Sequence, residues 1–155
     1  MKLIEICLDK LNKTKLFEMA YERKKAIETV ISLSPQIFEH LIKIFVFKLP
    51  HAKYHWIKEV NRWFTTIDRI ILKPNNKRLT AEDIYEWMIF DSSPHYSVEF
   101  INSSVRRMLR MEFKDVAVSD YDANHLLNII LRIIQKVVKD IERDEYAGIE
   151  PYLPK

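Results

Sequence analysis

The chain contains very little glycine: Gly148 is the only one among 155 residues. Tight hairpin turns, phosphate-binding loops and dinucleotide-binding fingerprints need glycine, because they use positive φ angles or bring the backbone close to a ligand. The sequence has no P-loop, no Rossmann fingerprint and no glycine-framed nucleophile elbow. This scarcity argues against the enzyme classes that depend on such motifs, and we predict no cofactor.

Cysteine is equally scarce, since Cys7 stands alone. A single cysteine excludes an intrachain disulfide and a cysteine cluster for zinc or iron–sulfur, and it fits a reducing compartment.

The net charge of the chain is small, because 25 basic and 22 acidic side chains give a net charge of +3. This small net charge does not predict nucleic-acid binding, although a local cluster of basic side chains could still bind nucleic acid.

Long uninterrupted hydrophobic runs are absent. The two most apolar segments, IFEHLIKIFVFKL and LLNIILRIIQKVV, contain charged residues and are shorter than the roughly 20 residues that cross a bilayer. The first residues include Glu5 and Asp9 and lack a small-residue cleavage site, which does not fit a secretory signal. We therefore predict a cytoplasmic protein without a membrane partner.

What the sequence does contain is helical periodicity. Apolar residues recur at intervals of three and four nearly throughout, which predicts α-helices. A length of 155 residues with 48% hydrophobic content is typical of one domain with its own core. We expect an all-α, single-domain helical bundle of about six or seven helices over residues 1–146, followed by a proline-rich, extended C-terminal tail of residues 147–155.

Capping residues and first-turn prolines predict where the helices begin. A short opening helix is followed by a second helix that Thr14 caps. Further helices are expected at Ser34–Pro35, Pro50, the capping box Thr80–Asp83, Ser93–Pro94 and Ser119. The polar segment KPNNKR, residues 73–78, is predicted to be a loop. The last helix is expected to stop near Tyr146, with Gly148 in the left-handed conformation that often ends a helix.

One segment, HAKYHWIKEVNRW, raises the question of a metal site. It places His51, His55 and Glu59 at four-residue steps, a spacing by which one helix can present three ligands. At about 100° per residue, however, the group lies opposite or beside the apolar arc of its helix, and cations such as Lys58 and Arg62 border it. Ligands in helical bundles usually project inward from several helices. We therefore predict no metal site and keep a metal-dependent enzyme using these three residues as an alternative.

His40 differs from the other histidines, because it borders an apolar helix face formed by Ile37, Leu41, Ile44 and Phe45. This position predicts a half-buried histidine that packs at the edge of the core.

The densest basic cluster lies on the next-to-last helix. With the apolar residues of that helix facing the core, Arg106, Arg107, Arg110 and Lys114 fall within about 100° on the other side. Ser103 lies among them. We call the four cations the basic stripe. The planar fork of arginine suits carboxylates and phosphates, so the basic stripe is the predicted partner-binding surface.

Three readings of the basic stripe follow. The leading hypothesis is a non-enzymatic interaction protein (an inhibitor, adaptor or regulatory subunit) that binds an acidic macromolecular partner. Nucleic-acid binding is the alternative, although the aromatic residues lie mostly on core faces and no helix-turn-helix signature is present. The third reading is that these cations pair with acidic residues of neighbouring helices or only keep the surface hydrated.

The last predicted helix has an unusually broad apolar face. Its apolar residues cover about 200°, from Ile129 at one edge to Leu131 at the other, whereas burial on one side needs about 100°. We expect it to be the central helix of the bundle. The alternative is a homodimer in which this helix buries its second side against another copy.

Overall fold

The computed structural model describes the backbone of residues 2–72, 79–92 and 96–154, and the side chains of residues 10, 13, 17, 18, 21–70, 79–92 and 96–154. Within these ranges the chain forms five α-helices and a turn of 3-10 helix, which are α1 (Lys2–Val46), α2 (Pro50–Leu72), α3 (Ala81–Ile89), α4 (Val98–Met111), α5 (Ala123–Glu142) and the 3-10 turn Glu150–Tyr152. The all-α prediction is confirmed. The predicted number of six or seven helices is too high, because α1 takes the place of three predicted helices.

α1 continues through both places where helix starts were predicted, Thr14 and Ser34–Pro35. Pro35 removes one hydrogen bond from the helix interior. The Ser34 hydroxyl, just before this proline, is buried and donates a hydrogen bond to the Met88 carbonyl of α3 (2.7 Å). The Tyr96 hydroxyl in turn donates to the Ser34 carbonyl (2.9 Å). The Ser-Pro pair is therefore a contact between helices and not a helix start.

Two predicted helix starts are confirmed, at α2 and at α3. α2 begins at Pro50. At α3 the Thr80 hydroxyl accepts a hydrogen bond from the Asp83 N–H (3.2 Å), and the Asp83 carboxylate accepts one from the Thr80 N–H (3.5 Å). This reciprocal capping box satisfies two of the donors that a helix start leaves without partners.

The start of α4 differs from the prediction. Ser93 and Pro94, like the predicted loop of residues 73–78, lie outside the described residues. α4 begins at Val98, and Ser97 is its cap, because the Ser97 hydroxyl accepts a hydrogen bond from the Phe100 N–H (3.1 Å).

The cap of α5 is Asp122 and not Ser119. The Asp122 carboxylate accepts hydrogen bonds from two N–H groups of the first turn, at 2.8 and 3.2 Å. Ser119 instead joins the end of α1, where its N–H donates to the Val46 carbonyl (2.8 Å), next to an isolated antiparallel bridge between Phe47 and Val118. A stronger cap three residues later left Ser119 available for this tertiary contact.

α5 lies in the core of the bundle, as expected, and shares the central position with α1, which also packs against the other four α-helices. α5 contacts each of the other four α-helices. Its buried side chains are Leu126, Ile130, Ile133, Ile134, Val137, Val138 and Ile141. Ile129 and Leu131, at the edges of the broad apolar face, are half-buried and pack against the core. The residues at both edges of the broad apolar face therefore contact the core of the same molecule.

The chain turns back after α5 earlier than predicted. α5 ends at Glu142, and Asp144 takes the left-handed conformation just beyond it (φ 57°), the role predicted for Gly148. Gly148 has φ 125°, a conformation that other residues rarely adopt. This turn brings Ile149 into the core, where it is fully buried. The segment predicted to be extended thus contains a buried anchor and the 3-10 turn.

Asn61 of α2 holds this C-terminal segment in place. Its side-chain oxygen accepts hydrogen bonds from the Tyr146 hydroxyl (3.0 Å) and from the Ile149 N–H (2.6 Å). The Tyr152 hydroxyl donates to the carboxylate of Asp140. Burial raises the pKa of the Tyr146 hydroxyl, so it stays protonated and able to donate.

One part of α1, Tyr21–Val46, is long and apolar enough by length and composition to cross a membrane, although its uninterrupted apolar runs are short. Half of its most apolar window is buried inside the molecule, and α1 packs against α2, α3, α4 and α5. A core helix of a globular domain has the same length and composition.

Candidate partner-binding surface

α4 is fixed so that one face is buried and the opposite face meets solvent. Its buried residues are Ile101, Ser104, Val105 and Met108. α4 packs with these residues against α1 and α5. The cap at Ser97 and the three-to-four spacing of the buried side chains determine the rotation of the helix, and therefore which side chains face outward.

The outward side carries the basic stripe. Arg106, Arg107, Arg110 and Lys114 are all exposed, as is Ser103. A depression of about 310 Å³ is lined by Ser103, the three arginines and Met111. α4 ends at Met111, so Lys114 lies beyond the helix and does not line the depression. The structure thus brings four of the five predicted site residues together around one depression, and Lys114 is not among those that line it.

The four cations of the basic stripe differ in their partners. Arg107 forms an ion pair with Glu39 of α1 (2.9 Å), which ties α4 to α1. Arg106 donates to the carbonyl of Asn102 in its own helix (3.3 Å). No acidic side chain within the described ranges forms an ion pair with Arg106, Arg110 or Lys114. The reading in which every cation pairs with a neighbouring helix therefore applies to Arg107 alone.

Met111 is a member of this surface that sequence analysis missed. Its side chain is 75% exposed and lines the same depression as the arginines. At about 100° per residue, the helical wheel places Met111 between the basic face and the core face, about 40° from Arg107 and about 60° from Met108. An exposed, flexible thioether beside cations is a feature of adaptable protein-binding surfaces.

The metal candidates lie on the outer side of α2. His51 and His55 are exposed, and Glu59 is half-buried. Glu59 forms an ion pair with Arg62 (2.5 Å), and its other oxygen lies 4.0 Å from His55 Nε2. In the part of the chain that the structure describes, no group of three or more His, Cys, Asp or Glu side chains is arranged to hold a metal ion.

His40 is half-buried on α1, as its sequence position predicts. Its ring packs edge-on against Trp63 of α2, with 4.6 Å between ring centroids. Burial, reinforced by the nearby Lys43 charge, lowers the pKa of His40 to about 4. Nδ1 lies 3.1 Å from the Gln36 carbonyl, so the neutral ring donates its Nδ1–H there. His40 is therefore a packing residue that is uncharged near neutral pH.

A second surface, between α3 and α5, has no counterpart in the sequence analysis. It is a groove of about 390 Å³ lined by Ala81, Glu82, Tyr85, Glu86, Phe90, Gln135, Val138 and Lys139. Phe90 is 63% exposed. Glu82 and Glu86 form no ion pair with any described side chain. We call this surface the acidic groove. Its walls come from segments far apart in sequence, so periodicity within one helix does not reveal it.

Comparisons of the chain with protein-family models, with curated proteins and with solved structures find no match.

Proposed function

We propose that this protein is a non-enzymatic interaction protein that binds an acidic partner protein through the basic stripe. One observation carries the proposal: Arg106 and Arg110 are exposed on one face of α4 without an acidic partner among the described residues, and the exposed Lys114 beyond the helix has none there either. Exposed guanidinium groups offer several donors in a fixed planar arrangement that matches carboxylates. Arg106 and Arg110 also border a depression in which a partner side chain can sit.

A protein partner is favoured over nucleic acid by the side chains around the basic stripe. Met111 adds exposed apolar surface of a kind that is enriched at protein interfaces. Nucleic-acid single strands are usually held by aromatic side chains that stack on the bases. The large exposed aromatic side chains within the described ranges lie outside α4; they are Phe17, Tyr21, Tyr54 and Phe90.

The test is a binding titration with fluorescently labelled poly-L-glutamate, followed by anisotropy. The stripe variant replaces Arg106 and Arg110 by Glu, which leaves the Arg107–Glu39 ion pair in place. The control variant replaces Lys53 and Arg69 by Glu, because both are exposed on α2 and the change in net charge is the same. We expect the stripe variant to bind at least about tenfold more weakly than the control, since direct charge pairs are lost. Equal weakening of both variants would mean that only net charge matters, and the proposal would then be wrong.

The same titration distinguishes nucleic-acid binding from the binding of an acidic protein. A DNA duplex is used as the second probe, and its affinity is measured at several salt concentrations. Binding through phosphates weakens steeply with salt, because each neutralised phosphate releases counterions. If the duplex binds more tightly than poly-L-glutamate, and the stripe variant abolishes that binding, the partner is a nucleic acid.

A further inference from the structure

We infer that the acidic partner of the basic stripe is a second copy of this chain, which presents its acidic groove. This inference rests on the proposed function and names the partner of the same surface. It joins two exposed surfaces of opposite charge, each of which combines charged residues with an exposed apolar side chain. Such a contact joins different surfaces of the two copies, and it closes into a dimer when a two-fold arrangement lets both stripe–groove contacts form at once.

The acidic groove is suited to a cationic surface that is partly apolar. Glu82 and Glu86 are exposed on successive turns of α3 and have no ion-pair partner among the described side chains. Phe90 exposes 63% of its surface at the end of the same wall. Lys139, on the α5 wall, offsets one of the two carboxylates. The groove therefore keeps a net negative charge beside an aromatic ring.

The basic stripe matches this arrangement in spacing as well as in charge. Arg106 and Arg110 are also separated by four residues, so each pair presents two like charges on one helix face, with Cβ atoms about 6 Å apart. When α4 of one copy lies along α3 of another, two arginine–glutamate pairs form at once. Met111, which follows Arg110 directly, is the apolar counterpart of Phe90.

A second copy is needed because the two surfaces do not meet within one molecule. No ion pair links Glu82 or Glu86 to Arg106 or Arg110 in the folded chain. α3 and α4 both pack against α5. The outward faces of α3 and α4 are thus both available to a neighbour.

Sedimentation equilibrium of the 155-residue chain tests this contact. The average mass is measured over a series of protein concentrations, at about 0.01 M salt, where the Debye length is about 30 Å, and at about 1 M salt, where it is about 3 Å. We expect the mass to rise above that of the monomer at low salt and to return to the monomer at high salt. Replacing Lys139 by Gln is expected to strengthen association several-fold, because it removes the cation from the groove.

Charge reversal identifies the two surfaces. The variant Glu82→Lys with Glu86→Lys and the variant Arg106→Glu with Arg110→Glu are each expected to be monomeric, because like charges then face one another. An equimolar mixture of the two is expected to associate as the wild type does, since opposite charges are restored in both directions. Circular dichroism of each variant checks that it is folded.

Three results would overturn the inference that the partner is a second copy. A wild type that is monomeric at low salt, or an association that either double variant leaves unchanged, overturns the inference. A mixture of the two folded variants that stays monomeric overturns it as well. The poly-L-glutamate titration keeps the proposed function separate: if the basic stripe binds that polymer while the protein does not self-associate, the proposed function stands and only the second copy is rejected.

Discussion

His40 is expected to make the stability of the protein depend on pH between 6.5 and about 4. In the unfolded chain the ring titrates near its ordinary pKa of 6.5, whereas burial against Trp63 lowers the pKa to about 4 in the folded state. Between these two values the unfolded chain binds more protons than the folded one, so acidification favours unfolding. The stabilisation is therefore fully present above pH 6.5 and is lost as the pH falls through 4.

The size of this effect follows from the lowered pKa of His40. One pKa unit corresponds to about 1.4 kcal/mol, so a pKa that falls from 6.5 to about 4 sets an upper bound of about 3.5 kcal/mol. The ring is only half-buried, and solvent screens part of the repulsion from Lys43. We expect about 1–2 kcal/mol of pH-dependent stability from this side chain.

The assay is urea unfolding at pH 7 and at pH 4, with the wild type and a His40→Leu variant. Carboxylates titrate in the same interval, so the relevant quantity is the difference between the two proteins in the loss of unfolding free energy on acidification. We expect the wild type to lose about 1–2 kcal/mol more than His40→Leu. His51→Leu is the matched control, because His51 is exposed, and it should follow the wild type.

An NMR titration of the histidine ring protons gives an independent check, in which His40 is expected to titrate near pH 4. If His40 titrates near 6.5, or if wild type and His40→Leu lose equal stability on acidification, then the burial of this ring does not control its protonation and the reasoning fails.

Three further changes test the packing of the helices. Asn61→Leu removes the acceptor of two hydrogen bonds, from Tyr146 and from Ile149, and should lower the free energy of unfolding by about 2–4 kcal/mol while the Ile149 amide exchanges faster with solvent. Thr80→Ala removes the cap of α3 and should cost about 1 kcal/mol in urea unfolding; no measurable loss would mean that the capping box is not formed in solution. Tyr96→Phe removes a buried hydrogen bond to the α1 backbone and should cost about 1–2 kcal/mol by the same assay, and an unchanged stability would argue against that contact.

Local sequence signals were sufficient wherever short-range interactions determine the structure. The capping box of Thr80 and Asp83 and the first-turn Pro50 predicted helix starts correctly, because both act on the backbone within one turn. The shared exposed face of the three arginines of the basic stripe was also predictable, since residues three and four apart on a helix share a face; Lys114 was not, because α4 ends before it. The half-buried position of His40 followed from the same periodicity.

Tertiary contacts determined the structure at residues that resemble helix caps in the sequence but bond to other parts of the chain. Ser34 and Pro35 resemble a helix start, yet α1 runs through them, and the Ser34 hydroxyl and carbonyl bond to Met88 and Tyr96 on other parts of the chain. Ser119 was a plausible cap, but Asp122 accepts two hydrogen bonds from the first turn of α5 while Ser119 bonds to the end of α1.

The sequence by itself therefore determined that the chain is helical and that Arg106, Arg107 and Arg110 share an exposed face of α4. Only the tertiary structure decided that α1 is continuous, that Arg107 is paired with Glu39, and that residues of α3 and α5 form an acidic groove. The physical reason is the range of the interactions involved. Periodicity and capping act over three to four residues, whereas ion pairs and grooves between helices depend on how distant segments pack.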